Sequence, residues 1–169
     1  FFIGRSVGML GNAATNVAFP LSITCTAISL LCGIGGAANF NLAMGRKEKE
    51  KAVSFAGGSI GMMLILGVLL CVVSQIFLEP MMRAFGATEK VLDYSLEYTG
   101  ITALGFPFLI VTTGGSNLIR ADGSPQFSMI CTLVGAIINT ILDPLFIFIF
   151  DMGIAGAAWA TIIGQVVSG

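Results

Sequence analysis

The chain has 169 residues, 56% of them hydrophobic and only 10% charged, with a mean hydropathy of +0.95. A soluble domain carries about a quarter charged residues, so this set cannot build a water-facing shell and the chain belongs in a membrane. A net charge of −1 provides no basic face for nucleic acid, and the absence of His closes His-dependent hydrolase and protease mechanisms to this segment.

At roughly 20 apolar residues per spanning helix, the length leaves room for about five or six spans and no soluble catalytic domain. The reading is an all-α polytopic membrane helix bundle. Both ends read as cut. Phe1-Phe2-Ile3 has the character of a last helical turn whose start is missing, and the far end stops inside the apolar segment Trp159 to Gly169. Cys25, Cys32, Cys71 and Cys131 lie in apolar stretches without C-x-x-C spacing. They read as small buried residues, not as disulfides or zinc ligands.

The charges divide the chain. Arg46-Lys47-Glu48-Lys49-Glu50-Lys51 is continuous, a second group runs from Glu79 to Glu97, and Arg5, Arg120, Asp122, Asp143 and Asp151 are scattered. Between them, spans are expected over about 21–43, 53–78, 97–119, 127–149 and 154–169. The uncharged stretch 6–45 is too long for one span, and Pro20 is expected to divide it, with 6–19 as an interfacial or loop helix. Pro107 should bend the third span and free a carbonyl. Gly33-Ile34-Gly35-Gly36-Ala37-Ala38 and the G-x-x-x-G of Gly57 to Gly61 predict close helix approach, since packing rather than hydrophobicity joins helices in lipid.

Arg46, Lys47, Lys49, Lys51 and Arg120 fall on one side of such a topology. Arg5, Arg83 and Lys90 fall on the other, among Glu79, Glu89, Asp93 and Glu97. The positive-inside rule then makes the 45–51 loop cytoplasmic. The run 46–51 reads as a solvated loop that fixes topology, with anionic lipid as an additional contact.

Asp143 is the sharpest single feature. It stands roughly 24 Å along the helix axis from Phe127, inside the hydrocarbon. Burying a carboxylate there costs at least ~2.5 kcal/mol, so such residues face a bundle interior or an aqueous cavity. Asn139 is one turn earlier on the same face. A carboxylate beside an amide binds Na+ when ionised, or exchanges a proton when desolvation raises its pKa. Pro144 follows directly and should leave a backbone carbonyl outside the helix ladder. Ser22, Thr24, Thr26 and Ser29 are expected to bond back to their own helix. Thr112, Thr113, Ser116 and Asn117 form a polar patch that either lines a cavity or packs.

The chain resembles the multidrug and toxic compound extrusion (MATE) family of cation-coupled efflux transporters, most of all its bacterial multidrug branch. The pieces that carry the resemblance are Phe2-Ile3-Gly4-Arg5, Ala43-Met44-Gly45-Arg46, Gly115 through Pro125 (GSNLIRADGSP), Asn139 through Phe148 (NTILDPLFIF) and Gly153 through Thr161 (GIAGAAWAT). Their order and spacing together are specific.

The resemblance implies twelve helices in two six-helix lobes around a central cavity, with residues 1–169 as part of the N-terminal lobe, from the end of helix 1 into helix 6. It implies a cation site to which Asn139 and Asp143 contribute from helix 5 and Thr161 from helix 6, with a helix 1 Asp just before Phe1. Asn117 would line the substrate cavity. The implied activity is secondary antiport: small organic, often cationic compounds leave the cell in exchange for H+ or Na+. No cofactor is expected beyond the coupling ion, no metal beyond Na+ at Asp143 and Asn139, and no nucleic acid. The implied partners are the bilayer of the cell membrane and the remaining half of the transporter. A related flippase for a lipid-linked or polysaccharide precursor is the alternative. An enzyme is not expected, because no second catalytic group accompanies Asp143.

Overall fold

The computed structural model describes residues 8–168. Residues 1–7, with Arg5 and the Phe2–Arg5 piece, and Gly169 lie outside the described residues. The described residues form seven α-helices and one π-helical turn. The helices are α1 (Met9–Gly45), α2 (Lys49–Ile76), α3 (Leu78–Ala84), α4 (Glu89–Leu104), α5 (Phe106–Ala121), α6 (Pro125–Pro144) and α7 (Gly153–Ser168). The π turn (Leu145–Ile149) extends α6.

Three helical segments, Met9–Gly45, Lys49–Ile76 and Pro125–Ile149, are long and apolar enough to cross a membrane, and α4 with α5 together meet the same length and apolarity as a bent pair, a broken span or a re-entrant loop. The last expected span is the shorter apolar helix α7. α4 and α5 meet at a 54° bend around Gly105, with Pro107 in the first turn of α5. The expected proline bend is therefore present. It resolves into two helices because Pro107 suits the start of a helix, where its missing N–H costs nothing.

Pro20 does not divide the first stretch. α1 runs unbroken for 37 residues with Pro20 inside it, about 55 Å and thus longer than the ~30 Å hydrocarbon core. One proline removes a single ladder bond, whereas a break within lipid would strand several backbone groups. The hydroxyls of α1 behave as expected: Thr24, Thr26 and Ser29 each donate to the carbonyl four residues back.

α1 is the hub, packed against α5, α2 and α4. Its buried residues, Gly11, Ala14, Ala18, Leu21, Cys25, Ser29, Cys32 and Gly36, recur every three or four positions and draw a stripe of small side chains along one face. At Gly33 the approach reaches backbone on backbone: a Cβ there would lie 2.7 Å from the Gly114 Cα and carbonyl oxygen of α5. The other small-residue motif does not act this way. A Cβ at Gly57, Gly58 or Gly61 would meet nothing within 4 Å, so the G-x-x-x-G joins no helix among the described residues. α2 instead leaves Leu64, Ile65, Val68, Leu69 and Val72 exposed, as a lipid-facing surface requires.

Outside the spans, Arg83 pairs with Glu79 at 3.1 Å and Glu89 at 2.7 Å. The hydrogen bonds that Arg83 donates, to Glu89 first and then to Glu79, raise its pKa above the ordinary value. All three groups are exposed, so Arg83→Gln is expected to leave the melting temperature of the full-length protein unchanged within about 2 °C.

Candidate functional site

α6 and α7 are antiparallel neighbours joined through the π turn, and their contact is dominated by glycine. A Cβ at Gly135 would lie 2.7 Å from the Gly164 carbonyl, and one at Gly164 would lie 3.0 Å from the Asn139 Cβ and the Gly135 carbonyl. With no side chain on Gly135 or Gly164, the helices come close enough for Asn139 to reach across. Its amide Nδ2 donates to Thr161 Oγ1 at 3.5 Å, a long bond that joins residues 22 positions apart. The Thr161 hydroxyl itself donates to the Ala157 carbonyl at 2.9 Å.

Asp143 lies one turn beyond Asn139 on α6. It is half-buried, and its Oδ1 is fully buried with no hydrogen-bond partner among the described residues. A buried, unpaired carboxylate oxygen costs free energy and needs an explanation; a proton or a bound cation supplies one. Directly after it the ladder changes. Pro144 has no N–H to give the Thr140 carbonyl, and the next five residues form the π turn, with the Phe150 N–H on the Leu145 carbonyl at 3.1 Å. Such widened turns are frequent at functional sites.

Next to the Asn139–Thr161 pair is a cavity of about 210 Å³ between α5, α6 and α7. Thr112, Thr132, Asn139, Thr161, Gln165 and Ser168 supply its polar lining. All four hydroxyls are committed to backbone carbonyls: Thr112 donates to Gln165, Thr132 to Ser128, Thr161 to Ala157 and Ser168 to Cys131. Their free lone pairs, with the Asn139 carbonyl oxygen, make the lining mainly one of acceptors.

Three of the four sequence-derived residues thus meet at one helix pair: Asn139 and Thr161 in contact, Asp143 a turn away. Asn117 is elsewhere. It is half-buried on α5, its amide donates to the Thr113 carbonyl at 3.1 Å, and it does not line this cavity. Of the polar patch around it, Thr112 faces α7 and Ser116 accepts from Ser128 of α6 through its carbonyl.

Gln165 is the residue that sequence reasoning missed. Its Oε1 is buried without a partner among the described residues and occupies the space beside Gly105, where a Cβ would come within 2.9 Å of it. The amide is therefore seated in the bend between α4 and α5. A lone Gln in the otherwise apolar last helix was the available signal.

Gly164 offers a check on this geometry. Gly164→Val should push α6 and α7 apart and lower the melting temperature of the full-length protein by several degrees, because overpacking a close contact costs about 1–3 kcal/mol. Gly115→Ala, where a Cβ meets nothing within 4 Å, should leave it unchanged. Thermal melts of the purified full-length variants compare the two.

Comparison with known proteins agrees with this architecture. The MatE family model matches residues 1–145. Among curated relatives, the multidrug export protein MepA of Staphylococcus saprophyticus is 31% identical over 166 residues, which is 96% of this chain and 37% of that protein. MepA of Staphylococcus haemolyticus is 30% identical over 167 residues, with the same coverage of 96% and 37%. This chain thus spans little more than a third of the relatives' length. An inward-facing MATE family multidrug resistance transporter superposes with a TM-score of 0.93 at 26% identity, over 99% of this chain and 38% of its own. A MATE crystal structure in a bent conformation gives 0.94 at 26% identity, over 99% and 37%. The helix bundle corresponds to one lobe of such a protein. The chain belongs to the MatE family.

Proposed function

We propose that the chain forms the cation-coupling lobe of a secondary antiporter that exports small organic, often cationic compounds in exchange for H+ or Na+. The observation that carries this reading is the buried, unpartnered Oδ1 of Asp143 one turn from the Asn139–Thr161 contact. In this mechanism Asp143 is the group that changes charge. When it is ionised, its carboxylate with the Asn139 oxygen, and Thr161 nearby, attracts a cation. When it is protonated, the burial cost of the charge disappears. Each change alters the balance of packing between α6, α7 and the π turn, and so the relative stability of the two access states. The ion must bind those states with different affinity, because equal binding drives nothing.

The substrate enters through the remaining half of the full-length protein together with this lobe, in a cell membrane. With α4 and α5 crossing as one bent span, the 46–48 and 122–124 connections share a side, and the positive-inside rule assigns that side to the cytoplasm. The test is efflux of a fluorescent organic cation from proteoliposomes containing the full-length protein, under Na+ and H+ gradients imposed separately. Efflux should follow one or both gradients; efflux indifferent to both would remove the antiport reading.

A further inference from the structure

Gly58, one of the α2 glycines that join no helix, borders a groove. Two contiguous hollows lie between α1 and α2 and share Asn39 and Phe55. One, about 340 Å³, includes Leu31, Gly35, Gly58 and Met62 in its walls. The other, about 290 Å³, ends at Arg46, Glu48 and Lys51. A Cβ at Gly35 or Gly58 would meet nothing within 4 Å, so these glycines leave open space along the groove.

Two of the polar side chains along it are already served by their own helices, Asn39 Nδ2 donating to the Gly35 carbonyl and Ser59 Oγ to the Phe55 carbonyl, both at 2.9 Å; Ser54 adds one small hydroxyl to the wall. What remains is an apolar trough with a basic mouth. From Leu31 to Arg46 it runs roughly 22 Å along α1, the depth of one leaflet with its headgroup zone (half of about 40–45 Å). At the mouth, Arg46 makes no ion pair among the described residues, and Lys51 pairs with Glu48 at 3.1 Å. Both partners of that pair are exposed, with 67% and 39% of the side chains accessible, so a phosphate competes for Lys51 at little cost. Lys47 and Lys49 add positive charge beside it, against Glu50.

We propose that this groove holds one anionic phospholipid, with an acyl chain along Leu31, Gly35, Gly58 and Met62 and its headgroup phosphate at Arg46 and Lys51. Length and charge point to the same occupant. An apolar protein segment would match the trough but not the basic mouth, and a soluble anion would match the mouth but leave the trough empty. The site is independent of the coupling reading, since its walls share no residue with the cavity beside Asn139 and Thr161 and do not include Asp143.

Native mass spectrometry of the full-length protein, with phosphatidylglycerol or phosphatidylcholine added back after delipidation, tests the proposal. The wild type should retain phosphatidylglycerol preferentially. Arg46→Gln and Lys51→Gln should each reduce that preference about fivefold. Gly58→Leu should fill the trough and lower retention of both lipids, with no loss of melting temperature because its Cβ meets no neighbour. Equal retention of the two lipids by the wild type, a preference unchanged in both Arg46→Gln and Lys51→Gln, or lipid retention unchanged in Gly58→Leu overturns the site. So does quantitative cross-linking of Gly58→Cys to the remaining half of the protein, which would make the groove a contact between lobes.

Discussion

Asp143→Asn in the full-length protein is expected to reduce ion-driven efflux by about 10- to 100-fold, the usual range of coupling between linked sites, while the protein still inserts and folds. Asn keeps the shape and size of the side chain and removes its ability to ionise. The substitution therefore separates two accounts of one residue. If Asp143 were permanently protonated and served only to fill space or hydrogen-bond a neighbour, Asn would replace it and efflux would persist. If it must alternate between charged and neutral forms, Asn locks it in one, and the gradient no longer acts on the protein. Initial rates under an imposed gradient, with insertion checked separately, distinguish the two. Thr161→Val should have a smaller effect, a loss of a few-fold, because its contact with Asn139 is already long at 3.5 Å.

Gly33→Val is expected to be the most damaging substitution for the fold. Its Cβ would come 2.7 Å from the Gly114 backbone, and no rotamer change relieves a clash with backbone. Overpacking of a core costs about 1–3 kcal/mol where side chains can adjust; here α1 and α5 must separate along the stripe that organises the lobe. The full-length variant should show little folded protein in fluorescence-detected size exclusion. Gly61→Ala, in open space on α2, should be neutral or stabilising by up to about 1 kcal/mol, from helix propensity alone. Similar profiles for the two variants would contradict the assignment of Gly33 to a backbone contact.

The outline of this lobe was legible because charges are expensive in lipid. Clusters at 46–51 and 79–97 mark where the chain must reach water, and the helices turn there. Pro107 was legible for a local reason, since proline at the start of a helix tolerates a bend. Pro20 was misread by the same rule: its neighbours in lipid have no alternative to a helix, so α1 absorbs the lost bond. Gly33 and Gly58 look alike in sequence, yet one presses on α5 and the other faces a groove. Which glycines approach a neighbour depends on helix rotation, and local composition does not encode it.

At the site, Asp143 and Asn139 were legible from spacing on one helix face. Thr161 was not, because its relation to Asn139 is made by tertiary packing across a glycine contact; only family resemblance pointed to it. Gln165 and the cavity between α5, α6 and α7 were hidden for the same reason. Three helices have to be assembled before the acceptors face one space.

Linkage gives the most direct measurement of the central claim. The affinity of the full-length protein for a fluorescent organic cation should be measured at equilibrium, with and without saturating coupling ion, for the wild type and for Asp143→Asn. The coupling account predicts that the ion weakens substrate binding to the wild type by about tenfold, and that this difference vanishes in Asp143→Asn. An ion effect of equal size in both proteins would contradict it.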